Sequence, residues 1–304
     1  VISKKLRKEE RMETQLNGIK IAVLGGDRRE LEMLRSLTNI DAEIKTLGNP
    51  GDDISGIKVE NELLKVVDDV DVIIAPMVST NEEGYLKATF VNRSVKLGED
   101  FFASLKPETL LFMGVARGEI PTYCQDYKIN LVQLAKLEEV AILNAIPTAE
   151  GAIQIAMEES DITLHSNNSM VLGLGRVGLT QARMLKGLGS KTYGVDRSSA
   201  KRARAKEMGI VPVDFSNFEK VISEMKFIFN TVPALVLDKE ILSEVESEAV
   251  IIDLASAPGG TDFEVAGELG IKALLSLGLP GKVAPKTAGQ ILAKVIPELI
   301  MEEL

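Results

Sequence analysis

Short runs of β-branched and aliphatic residues alternate along the chain with stretches whose apolar positions recur every three or four residues. This alternation predicts parallel sheets covered by helices. In the first half, strands are expected at residues 19–24, 43–47, 70–76 and 110–113, and helices at 29–38, 100–105 and 120–127. A boundary falls near Pro147, where residues 148–159 read as one helix with Thr148 as N-cap and Gly151 as its weak position. The rhythm then restarts, with strands expected at 169–174, 191–195, 210–213, 227–230, 250–253 and 272–275. Six strands in that rhythm describe a complete doubly wound domain. Residues 287–303 are helical again, with apolar positions suited to packing back on the first domain. The expected fold class is α/β: two Rossmann-like, doubly wound parallel-sheet domains joined by an interdomain helix.

Composition supports two cores. The chain has 304 residues, beyond the roughly 100–200 of one domain. It is 45% hydrophobic and 26% charged, unlike a disordered chain. A net charge of −10, from 35 basic and 45 acidic residues, argues against a nucleic-acid partner, because phosphate-backbone binders displace counterions with many cations. The single cysteine, Cys124, excludes an intrachain disulfide and a cysteine-based metal site, and it reads as a small apolar residue. No apolar run approaches the roughly eighteen residues of a membrane span, and Lys4, Lys5, Arg7 and Lys8 precede no signal-peptide core. A cytoplasmic protein without a membrane partner is expected. Met12 stands just ahead of the first strand, so residues 1–11 read as an extension.

The clearest motif is Met170-Val-Leu-Gly173-Leu-Gly175-Arg176-Val177-Gly178, a G-x-G-x-x-G directly after an apolar strand and opening an amphipathic helix. In a dinucleotide-binding domain, Gly173 makes the tight turn and Gly175 lets the pyrophosphate approach the backbone. Gly178 lets helix and strand pack closely. The next strand ends at Asp196, placed to accept the ribose hydroxyls of NAD. Arg197 and Ser198, with Ser199, Lys201, Arg202 and Arg204, suit a 2′-phosphate instead, so NADP is the expected cofactor with NAD as the alternative. A solvated helix face is the plain reading of that basic run. Residues 147–286 are accordingly read as the nicotinamide-dinucleotide domain, 12–146 as the substrate or catalytic domain, and 287–304 as the returning helix.

Ligands of open α/β sheets bind beyond the carboxyl ends of strands. That rule directs attention to Asn230, Thr231, Val232 and Pro233, to Asp253 with residues 254–256, to residues 277–281, and, in the first domain, to Met77, Ser79, Thr80 and residues 114–117. A substrate cleft between the domains would be lined by hydroxyls and a few cations. The turn Gly25-Gly26-Asp27 lacks the three-glycine pattern and reads as a tight turn, with an anion contact near Arg28 and Arg29 as the alternative. The lone histidine, His165, precedes a strand rather than following one. It reads as structural, which argues against a histidine-dependent hydroxy-acid dehydrogenase.

Several strings resemble one family, the A subunits of dipicolinate synthase of spore-forming bacteria. They are Lys20-Ile-Ala-Val-Leu-Gly-Gly-Asp27, Ile146-Pro-Thr-Ala-Glu-Gly151, Val171-Leu-Gly-Leu-Gly-Arg176, Ile252-Asp-Leu-Ala-Ser256, Pro258-Gly-Gly-Thr-Asp262, Gly278-Leu-Pro-Gly281 and Val283-Ala-Pro-Lys-Thr-Ala-Gly289. The resemblance covers nearly all of the chain after Met12, and the last two strings are the most specific. It implies oxidation of a dihydro- or hydroxytetrahydro-dipicolinate from the lysine pathway to pyridine-2,6-dicarboxylate. It also implies a partner, the flavoprotein-like B subunit, with sporulation, in the mother cell, as the setting; a homo-oligomer is compatible with it. For such an anionic dicarboxylate substrate, Lys286 is expected to bind a carboxylate with Thr287 donating beside it, and Thr148, Ser79 and Thr80 complete the polar lining. The competing readings are another two-domain nicotinamide-dependent hydroxy-acid-type dehydrogenase and a non-catalytic cofactor-binding subunit.

Overall fold

A computed structural model describes residues 16–91 and 94–304. Residues 1–11 and Met12, read above as an extension and a start, lie outside the described residues. The chain divides into two compact units, residues 1–140 with 285–304, and residues 141–284.

In the first unit the parallel strands are β1 (Lys20–Leu24), β2 (Glu43–Leu47), β3 (Ile57–Val59), β4 (Val72–Ile74), β7 (Leu110–Met113) and β8 (Asn130–Gln133), and a small antiparallel hairpin adds β5 (Tyr85–Leu86) and β6 (Val95–Lys96). The main sheet has the order β3-β2-β1-β4-β7-β8. Both faces of it are covered, which is why its central strands read as unbroken apolar runs. Successive side chains of a strand point to opposite faces. Ile21, Val23, Val72, Ile74, Leu110 and Phe112 therefore enter one core, and Ala22, Leu24, Ile73, Leu111 and Met113 enter the other. The first of these cores also receives Met33, Leu34 and Leu37 of the helix Arg28–Leu37 and Leu292, Val295, Ile296 and Ile300 of the helix Pro285–Glu303. The two helices cross closely at Gly289, where a Cβ would lie 2.5 Å from the carbonyl oxygen of Arg29.

The second unit repeats the plan with β9 (Asn168–Leu172), β10 (Lys191–Asp196), β11 (Val211–Asp214), β12 (Phe227–Asn230), β13 (Val250–Asp253) and β14 (Lys272–Leu275), in the order β11-β10-β9-β12-β13-β14. Each sheet is thus a doubly wound, Rossmann-like sheet whose order reverses beside its first strand. The switch point lies between β1 and β4 in the first unit and between β9 and β12 in the second.

The structure corrects the sequence reading around Pro147. One helix runs through it from Glu138 to Glu158, so Thr148 is not an N-cap: its hydroxyl donates to the Asn144 carbonyl, 2.7 Å away. Proline removes one helical donor and normally breaks a helix. Here packing overrides that loss, because Ala145, Ala149, Ala152 and Ala156 are fully buried along one side of the helix. Gly151 lies at a close packing contact, since a Cβ there would come 3.1 Å from the Val283 side chain. This helix is also long and apolar enough to meet the length and composition of a membrane span. Part of it packs within the fold, with Val140 in one core and Ala152, Ile153 and Ala156 in another, while Ile142, Ile146 and Met157 are exposed.

Candidate functional site

The second unit carries a cavity of about 340 Å³ at the carboxyl ends of its strands, lined by Gly173, Gly175, Asp196, Arg197, Lys201 and the turn after Thr231. The three glycines do different work around it. Gly173 has φ +86°, and a Cβ there would lie 2.6 Å from Thr231 Oγ1. A Cβ on Gly178 would be 1.8 Å from the Gly173 carbonyl oxygen. At Gly175 a Cβ would meet nothing within 4 Å. Gly175 is the N-cap of the helix Arg176–Gly187 and brings no side chain to that helix's N-terminus, which opens onto the cavity at Gly175 with its positive dipole end. Open space in front of an uncapped helix N-terminus fits a pyrophosphate.

The turn opposite is fixed from beneath. Thr231 Oγ1 lies 2.9 Å from the Leu172 carbonyl and 3.1 Å from that of Gly173, tying the loop after β12 to the glycine turn. Asn230 and Asp253 are fully buried. Asn230 Nδ2 donates to Asp253 Oδ1 at 3.1 Å, and its Oδ1 accepts the Val232 N–H at 3.0 Å. Asp253 also accepts from Ala255 N, Gly260 N and Thr261 Oγ1 at 2.9, 3.1 and 2.6 Å. This network holds Thr231, Val232 and Pro233 at the cavity. The sequence reading named Asn230 and Asp253 at these strand ends but not their pairing, because the partners lie 23 residues apart on neighbouring strands.

Asp196 ends β10 and is nearly enclosed. Its Oδ2 accepts from Leu174 N at 2.9 Å and from Lys201 Nζ at 3.1 Å, and its Oδ1 accepts from Ser198 N at 2.9 Å. Burial alone would raise its pKa, but the two backbone donors and the Lys201 ammonium outweigh burial and hold it below the ordinary carboxylate value. Ser198 caps the helix Ser199–Glu207. Arg197 is exposed, and its guanidinium has no hydrogen-bond or ion-pair partner among the described residues. The rest of the basic run is occupied. Arg202 binds the carbonyls of Asp196 and Arg197 and pairs with Asp214, and Arg204 pairs with Glu207. Of the cations the sequence offered to a 2′-phosphate, Arg197 and Lys201 line the cavity.

The first unit's glycine turn is built for another purpose. Asp27 caps the helix Arg28–Leu37 in a capping box with Glu30, and Arg29 holds Asp27 through two contacts of 3.0 and 2.9 Å. Glu30 is fully buried, with Oε2 accepting Asp27 N at 2.8 Å and Oε1 accepting Met77 N at 2.9 Å. Burial pushes its pKa up against the pull of Arg29 and of these two donors. The turn is therefore the structural feature that its missing third glycine suggested, and its anion is internal. The aspartate followed three residues later by a glutamate was a readable signal for it.

The remaining sequence-selected residues are dispersed. Ser79 and Thr80 are buried after β4; Ser79 Oγ accepts Val115 N at 2.5 Å, and the Thr80 hydroxyl has no hydrogen-bond partner among the described residues. Lys286 and Thr287 are exposed in the first turn of the helix Pro285–Glu303 of the first unit, and Thr148 belongs to the second. His165 precedes β9, its Nδ1 lying 3.1 Å from the Leu188 carbonyl.

Comparison with known proteins agrees with this division. Residues 20–135 match the family described as the dipicolinate synthase A-subunit N-terminal domain, and residues 148–259 match the D-isomer specific 2-hydroxyacid dehydrogenase, NAD binding domain. The dipicolinate synthase A subunit of Bacillus subtilis (strain 168) is 40% identical over 290 residues, covering 94% of this chain and 97% of that protein. The crystal structure of the dipicolinate synthase A subunit from Bacillus halodurans superposes with a TM-score of 0.90 at 40% identity, over 94% of this chain and 99% of that one. The corresponding crystal structure from Bacillus subtilis gives a TM-score of 0.88 at 40% identity, over 95% and 98%. A nicotinamide-binding dehydrogenase domain behind a distinctive N-terminal domain, with this identity along nearly the whole length, establishes that the chain belongs to the family of dipicolinate synthase A subunits.

Proposed function

We propose that this chain is the NADP-binding A subunit of a dipicolinate-forming oxidoreductase that works with a flavoprotein-like B subunit during sporulation. The observation that carries the cofactor assignment is the open, uncapped helix N-terminus at Gly175 together with an Arg197 guanidinium at the same cavity that has no partner among the described residues. Gly173, Gly175, Arg176, Val177 and Gly178 would hold the pyrophosphate, and Thr231, Val232 and Pro233 would flank the nicotinamide. Three of the four acceptor positions of the Asp196 carboxylate are already used, by Leu174, Ser198 and Lys201. Asp196 thus braces the loop more than it receives a ribose diol, and Arg197 is left to meet a 2′-phosphate, with the Ser198 hydroxyl and the remaining N–H donors of the Asp196-bound Lys201 beside it.

A nicotinamide held there would supply the hydride acceptor for oxidation of dihydrodipicolinate, or of its hydroxytetrahydro precursor with loss of water, to pyridine-2,6-dicarboxylate. The protein's part is to orient the ring and neutralise its two carboxylates. In the first unit Lys286 and Thr287 supply a cation and a donor, and Ser79 and Thr80 keep hydroxyl protons to donate. Thr148 gives its proton to the Asn144 carbonyl, which leaves it acceptor capacity that a carboxylate does not use. A histidine-dependent hydroxy-acid mechanism is disfavoured because the one histidine, His165, lies at the amino end of β9, away from the carboxyl-end cavity.

The test is to supply the lysine-pathway intermediate and NADP to this chain with and without the B subunit, following pyridine dicarboxylate absorbance. Product with both subunits and little with this chain alone is expected. No product from the assembled pair, with cofactor bound, would overturn the reading.

A further inference from the structure

The first unit has the same strand order as the second, yet its glycine turn is closed. Residue 88 forms a bridge to Gly26, with Gly26 N donating to the Lys87 carbonyl at 2.7 Å and Thr89 N donating to the Gly26 carbonyl at 2.9 Å. A Cβ on Gly25 would already lie 2.8 Å from the Lys87 carbonyl oxygen. Together with the internal carboxylate of Glu30, this leaves no approach for a phosphate on the β1 side of the switch point. The ligand-binding edge that remains in this unit runs over the ends of β4 and β7.

The loops there are fastened to each other. A Cβ on Gly114 would lie 1.9 Å from the Met77 carbonyl oxygen, and one on Gly118 would lie 2.2 Å from that of Glu82. Val115 N donates to Ser79 Oγ, and Ala116 N donates to Gln133 Oε1 at 3.0 Å. Between these fixed points stands Arg117, exposed, with Nη1 on the Thr80 carbonyl at 3.3 Å. That contact uses one of five guanidinium N–H donors. No acid among the described residues pairs with Arg117, although the chain carries a net charge of −10. The Thr80 side chain beside it is buried with its hydroxyl unpartnered. Buried hydroxyls are normally satisfied, and among the described residues this one still has its hydrogen bond to give.

Resting on the proposed function, in which Lys286 serves one substrate carboxylate, we infer that Arg117 with the Thr80 hydroxyl forms the subsite for the second, and so selects ring dicarboxylates over ring monocarboxylates. A guanidinium binds a carboxylate through two parallel hydrogen bonds, which gives a second anchor more geometric specificity than an ammonium does.

Calorimetry on the full chain loaded with NADP tests this, using pyridine-2,6-dicarboxylate and pyridine-2-carboxylate as probes. Arg117→Ala is expected to weaken the dicarboxylate tenfold or more, to change the monocarboxylate less than twofold, and to leave NADP affinity and melting temperature near wild type. Arg117→Lys should recover part of the loss, and Lys286→Ala should impair both probes. Equal dicarboxylate affinity in Arg117→Ala and wild type, or equal losses for both probes, would overturn the subsite while leaving the proposed reaction standing. A wild-type protein that binds no dicarboxylate would instead overturn the reading on which the subsite rests.

Discussion

A Cβ on Gly178 would stand 1.8 Å from the carbonyl oxygen of Gly173, so the helix that begins behind Gly175 seats against β9 only because residue 178 has no side chain. Gly178→Ala is therefore expected to destabilise the protein by about 1–3 kcal/mol or more through overpacking against backbone that cannot yield. Gly175 differs: its backbone is extended and the space before it is open. Gly175→Val should melt near the wild-type temperature and lose dinucleotide binding. Normal binding by that folded variant would refute the pyrophosphate position; thermal unfolding and calorimetry together read both results.

Arg197→Ala should weaken NADP by roughly tenfold or more, corresponding to about 1.5–3 kcal/mol for a charge-assisted phosphate contact, and should barely change NAD. Side-by-side titrations decide it. Equal losses for the two cofactors would mean that Arg197 does not touch the 2′-phosphate.

Glu30→Gln tests the internal anion of the first unit. The carboxylate satisfies two N–H groups with two oxygens, those of Asp27 and Met77. An amide offers one oxygen and sets its NH₂ against the other donor. A loss of about 1–3 kcal/mol in denaturant unfolding is expected, with cofactor affinity unchanged. An unchanged midpoint would show that this carboxylate does not hold the turn.

Burial pushes the Cys124 thiol from 9.0 up to about 11, which makes its reactivity a measure of folding. At pH 8 only about 0.1% would be thiolate, so alkylation in the folded chain should run at least tenfold slower than in denaturant. Since the folded state retains the proton that the unfolded state releases, the associated stability is complete below pH 9.0 and is lost as pH rises towards about 11. Rapid alkylation of the native protein at pH 8 would contradict this burial.

Much of the fold was legible because its signals are local. Fully covered parallel strands such as β1, β9 and β13 read as apolar runs, and Gly173, Gly175 and Gly178 marked the dinucleotide turn through a fixed spacing. Elements without such patterns were missed. The edge strands β3 and β8, half-buried and partly polar, escaped notice, as did the β5–β6 hairpin. The helix through Pro147 was given too late a start, at Thr148, because a proline's local cost is visible in sequence, whereas the burial of Ala145, Ala149, Ala152 and Ala156 that outweighs it is not.

By itself, then, the sequence determined the two-sheet α/β plan, the nicotinamide domain and the family, all of which rest on periodicity, spacing and contiguous strings. The tertiary structure alone decided which charged groups remain available. Arg202 and Arg204 are consumed by Asp214 and Glu207, Asp196 is turned into a loop brace, and Glu30 fills the first unit's own anion position, while the guanidiniums of Arg197 and Arg117 pair with no acid among the described residues. A side chain's charge is written in the sequence, but its partner is set by the strands and loops that folding brings beside it, and a group already paired and desolvated has little left to offer a ligand.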